Sequence, residues 1–71
     1  MTRTERRDEY VIGKRFEQLS DEERQEERFR CICGGTGLNG YRLRAISENA
    51  SAEDIVVGKA CLSHCLDSTN A

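Results

Sequence analysis

The chain carries four cysteines, gathered into two pairs. Cys31 and Cys33 are separated by one residue, Cys61 and Cys65 by three, and twenty-seven residues lie between Cys33 and Cys61. Thiols collected this way in a reducing compartment are metal ligands more often than disulfides. Zinc takes four donors, commonly cysteine sulfur and histidine nitrogen. Two local pairs brought together by a chain reversal would supply them. Cys61 and Cys65 are i and i+4, one helical turn apart. His64 is the only histidine and lies at i+3 from Cys61. The expected ligand set is therefore Cys31, Cys33, Cys61 and Cys65 around one structural Zn2+, with His64 as an alternative to Cys65. His64 could instead support a thiolate from outside the ligand set.

Disulfides would join the two ends of the segment rather than Cys31 to Cys33, and they become the expectation if the protein is secreted. Catalytic zinc keeps a position open for water, whereas four cysteines close the site. A cysteine nucleophile beside His64 would need a cleft and an orienting partner. The glycines of "CGGTG" and the lysine of "VGKA" lack the spacing of a phosphate-binding loop. The chain is accordingly expected not to be an enzyme, with no catalytic residues.

The length supports this reading. Seventy-one residues make one domain at most, and domains of this size often need a staple. The larger apolar residues of the second half are few: Phe29, Ile32, Leu38, Tyr41, Leu43, Ile46, Ile55, Val56, Val57, Leu62 and Leu66. A structural zinc contributes an apparent ~10–16 kcal/mol, enough to decide whether such a chain folds.

Two parts must position these ligands. Residues 1–29 are dominated by charge, and up to residue 30 the chain holds eight basic and nine acidic side chains. Ile12, Phe16 and Leu19 fall on one helical stripe. Gly13 interrupts it at a cost of about 1 kcal/mol. Ser20 and Glu23 fit a capping box for a second helix, although residues 21–28 contain no apolar residue to bury. Residues 30–66 read differently. "YRLRAI" alternates Tyr41, Leu43 and Ala45 with Arg42 and Arg44, as a half-buried strand does. "DIVVG" suits the returning strand, and "ACLSHCL" a short helix. Residues 67–71 read as a flexible tail. The expected fold class is α+β: an N-terminal helix, or two short ones, then a zinc-stapled β-hairpin and a short C-terminal helix.

The pattern "CICG", then strand–turn–strand, then "VVGKAC" resembles small zinc-ribbon or treble-clef-like modules of phage and bacterial proteins. Their signature is a Cys-x-Cys-Gly knuckle, a hairpin and a Val-Gly-x-x-Cys entry to a short helix. The match covers residues 30–66. It implies that Cys31, Cys33 and Cys61 are ligands and that the last ligand sits on the helix. The three-residue gap to Cys65 departs from the familiar two. Modules of this kind bind DNA, RNA or protein, so the resemblance leaves function open.

Charge and hydropathy narrow the function classes. Eleven basic and thirteen acidic residues leave a net charge of −2. That balance disfavours a dedicated nucleic-acid binder. It favours a small regulator that works through protein–protein interaction, such as a phage-type modulator or inhibitor of bacterial machinery. Ile12, Phe16 and Leu19 would form the partner-binding stripe, docking on the zinc module or pairing with a second copy in a homodimer. The alternative is zinc-finger-like nucleic-acid binding through Arg42 and Arg44, with Arg28, Arg30 and Lys59 nearby. No apolar run is long enough to span a bilayer, and no secretory signal opens the chain, so a cytoplasmic protein with no membrane partner is expected.

Overall fold

A computed structural model describes residues 2–70, in the order α1 (Arg3–Val11), β1 (Lys14–Gln18), β2 (Glu23–Arg30), β3 (Thr36–Ser47), β4 (Ala50–Val57) and α2 (Lys59–Asn70). The fold class is α+β. Helix α1 starts where Thr2 Oγ1 accepts the Glu5 N–H at 3.1 Å, with the Glu5 carboxylate in the first turn. The Thr2 side chain thereby caps a helix-end donor that would otherwise need water, and its hydroxyl donates to the Glu5 carboxylate at 3.2 Å. The helix ends before Gly13, whose φ of +70° is open to glycine and strained for other residues.

That turn removes the helical stripe expected at Ile12, Phe16 and Leu19. Past Gly13 the chain is extended, and side chains alternate with period two. Phe16 points into the core at 4% exposure, while Ile12 is 74% exposed. Leu19 is partly exposed beyond the end of β1.

The second expected helix is also absent. Residues 23–30 form β2, pairing antiparallel with the first half of β3 through Glu23↔Gly40 at one end and, after a register shift between Arg24 and Phe29, Arg30↔Thr36 at the other. A helix polar on every side has nothing to bury, whereas a strand next to β3 satisfies part of its backbone through the ladder at both ends. Strand β1 pairs with the second half of β3, from Lys14↔Ser47 to Gln18↔Leu43. The intervening link is tied down where the Leu19 N–H donates to the Arg42 carbonyl at 2.8 Å.

The expected hairpin is present as β3 and β4, with Tyr41↔Val57 and Leu43↔Ile55 in register. Strand β3 begins earlier than the pattern suggested, at Thr36, and runs through Gly37 and Gly40. Gly40 serves close packing and not a turn. A Cβ there would lie 2.6 Å from Val56 Cγ1 and 2.7 Å from Phe29 Cζ.

Helix α2 extends through most of the segment read as a tail. Thr69 Oγ1 accepts the Phe16 N–H at 2.8 Å and donates to the Cys65 carbonyl at 3.1 Å, holding the last turn against β1. Ala71 lies outside the described residues. The core joins Val11 of α1, Phe16 of β1, Leu43 and Ala45 of β3 and Val57 of β4 to Cys31, Cys61 and Cys65. Tyr10 fastens α1 to the sheet: its hydroxyl donates to Glu53 Oε1 at 3.1 Å. Its ring lies 6.3 Å from that of Phe16. No helix among the described residues is long and apolar enough to cross a membrane.

Candidate metal centre

Three of the four cysteines converge. The Sγ atoms of Cys31, Cys33 and Cys61 lie within 4.8 Å of one another. Such a cluster of soft donors could hold a metal ion. Each is placed by a local device. Cys31 follows β2, and the chain then closes a tight loop. The Cys31 N–H donates to the Gly35 carbonyl at 2.7 Å, and the Gly34 N–H donates back to the Cys31 carbonyl at 2.9 Å. Gly34 makes the reversal at a φ of +90°. Cys61 arrives from the other side, in the first turn of α2. The Gly58 N–H, just before that helix, donates to Cys31 Sγ at 3.5 Å.

The surroundings favour thiolate at the outer edge of the cluster. A backbone hydrogen bond at Gly35 pulls the Cys33 thiol below its ordinary value, aided by Cys61, Cys31 and the charge of Arg3 and opposed by partial burial. Burial and the neighbouring sulfurs of Cys31 and Cys33 push Cys61 upward. A divalent ion held there would displace the thiol protons, because only deprotonated sulfur ligates. The N-terminus of α2 adds positive potential beside Cys61.

Neither residue expected to compete for a fourth position has a ligating atom within 4.8 Å of all three sulfurs. Cys65 is fully buried in the core with Leu43 and Val57, and its sulfur is not part of the three-sulfur group. Burial, with Cys31 as the second cause, pushes its thiol up to about 11. His64 faces α1, its Nε2 3.0 Å from Asp8 Oδ1. That contact is close but poorly aligned, and Nε2 has no hydrogen-bond partner.

Helix α1 also reaches the knuckle, which the sequence pattern did not suggest. The Arg6 guanidinium fills the space a Cβ at Gly34 would take, with Nη1 2.8 Å from that point. Arg3 Cζ lies 4.0 Å from the equivalent point at Gly35. The Thr2–Glu5 spacing was the available signal for this helix, and it places both arginines within it.

No family model, curated protein or solved structure matches the chain. Its reading therefore rests on its own residues.

Two of the basic residues singled out in the sequence are paired with carboxylates. Arg42 and Arg44 do share the exposed face of β3. Arg42 pairs with Glu23 at 3.0 Å and Arg44 with Asp54 at 3.3 Å. Arg28 and Arg30 are exposed on β2, and Lys59 opens α2.

Proposed function

We propose that the protein is a small zinc-binding regulatory module that acts by binding another protein. The observation that carries the metal half is the convergence of Cys31, Cys33 and Cys61 from two distant parts of the chain. An ion there would tie the β2–β3 knuckle to the start of α2. It would reinforce a core that has only eight buried apolar or cysteine side chains among the described residues. Zinc is favoured over harder cations because all three donors are sulfur.

The protein-binding half rests on charge. The net charge is −2, and the two arginines of the β3 face are matched by Glu23 and Asp54. A duplex would have to break those pairs before gaining its own phosphate contacts. Nucleic-acid binding through Arg42 and Arg44 is for this reason the weaker reading.

Native mass spectrometry of the reduced chain, with and without chelator, tests the metal half. One zinc per chain is expected, and its removal should lower the melting temperature sharply. A metal-free, reduced chain that melts cooperatively at the same temperature would overturn it. Affinity recovery from lysate tests the other half, where nucleic acid without protein would be the contrary result.

A further inference from the structure

The three-sulfur group is one donor short of the four that zinc takes. Among the described residues, no fourth ligating atom lies within 4.8 Å of all three sulfurs. Cys65 sits one helical turn beyond Cys61, about 6 Å along the axis, and is sealed in the core. His64 is turned toward Asp8. Cys31, Cys33 and Cys61, by contrast, share the wall of an open depression of about 250 Å³, with Phe29, Asn39 and Lys59 also lining it. A water needs only about 30 Å³, so a side chain of another molecule has room to enter.

We propose that an ion held by Cys31, Cys33 and Cys61 takes its fourth donor from outside the chain, through this depression. The donor is water in the free protein, and a thiolate or imidazole of a bound protein displaces it. This rests on the metal reading above. Two features of the wall suit an incoming donor. Gly58 lines it without a side chain, and a Cβ there would meet nothing within 4 Å. Lys59 in its lining and Arg3 beside Gly35 place positive charge near three sulfurs that are anionic when they ligate. A buried cysteine four residues along the helix then has a packing role, filling the space between α2 and the sheet.

X-ray absorption of the zinc-loaded full chain, reduced with a phosphine, decides the matter. The expected shell is three sulfurs at about 2.3 Å and one lighter atom at about 2.0–2.1 Å. Added 2-mercaptoethanol should convert it to four sulfurs, and imidazole should shift the visible spectrum of the cobalt-substituted protein. Cys65→Ala should keep one ion and the same three-sulfur shell. Four sulfurs in the phosphine-reduced wild type, unresponsive to either added ligand, would overturn the external donor while leaving the metal reading intact. That measurement holds even if Cys65→Ala fails to fold. Absence of any bound ion would overturn both.

Discussion

His64 Nε2 lies 3.0 Å from Asp8 Oδ1, a contact that brings the only imidazole of the chain, on α2, against α1. Sequence spacing alone made His64 a rival ligand, because i+3 and i+4 share a helical face. In the fold its Nε2 meets Asp8 of α1 instead. His64→Ala should leave the metal stoichiometry and affinity unchanged in a competitive chelator titration. Its stability cost should stay within about 0.5 kcal/mol, because the contact with half-exposed Asp8 makes no hydrogen bond.

The cysteines themselves should separate into two classes. Cys31→Ser, Cys33→Ser and Cys61→Ser should each weaken zinc binding by at least about 100-fold, more than the loss of a residue that only supports a ligand. Affinity in all cases should fall with falling pH, because each ligating thiol must release its proton. Chelator titrations over a range of pH give both quantities.

Phe16 and Ile12 make a paired test of the turn at Gly13. Phe16→Ala removes a ring from the core and should cost about 3–5 kcal/mol. Ile12→Ser alters an exposed side chain and should stay within about 0.5 kcal/mol. A continuous helix through both residues would make the two losses comparable. Urea denaturation of the zinc-loaded forms distinguishes the cases.

Gly40 and Gly13 should fail for different reasons when changed to alanine. At Gly40 the new methyl would collide with Val56 and Phe29, an overpacking cost of about 1–3 kcal/mol. At Gly13 nothing lies within 4 Å, and only the positive φ penalises the side chain, by roughly 1–2 kcal/mol. The Gly40→Ala loss should ease when Val56 is shortened to alanine as well. The Gly13→Ala loss should not.

Tyr10 predicts an alkaline limb. Burial, and then its hydrogen bond to Glu53, push the phenol from 10.0 to about 12. The folded state therefore keeps a proton that the unfolded chain releases earlier. Its stabilising contribution is complete below pH 10.0 and is lost as pH rises toward about 12. In Tyr41→Phe, where Tyr10 is the only tyrosine left, tyrosinate absorbance should appear only near that upper limit. Tyr10→Phe should flatten the alkaline decline and cost about 0.5–1.5 kcal/mol at neutral pH.

Strong local signals in the sequence translated directly. The alternation of Tyr41, Leu43 and Ala45 with Arg42 and Arg44 identified a half-buried strand, and the β-branched run before Gly58 identified its partner. The cysteine spacing marked the only cluster of soft donors among the described residues. These patterns are legible because period, turn residue and ligand type are local properties. Residues 14–30 were misread because their outcome is not local. Phe16 sits at a helical spacing from Ile12, and only the left-handed turn at Gly13 changes its period. Glu23 to Arg30 carries helix-forming side chains, yet its backbone pairs with β3, which lies later in the chain. Tertiary packing also sorted the cysteines. Cys61 and Cys65 occupy one helical face, but a depression opens beside the first and the sheet closes over the second. Spacing can place two sulfurs on one side of a helix, whereas what each meets there depends on parts of the chain remote in sequence.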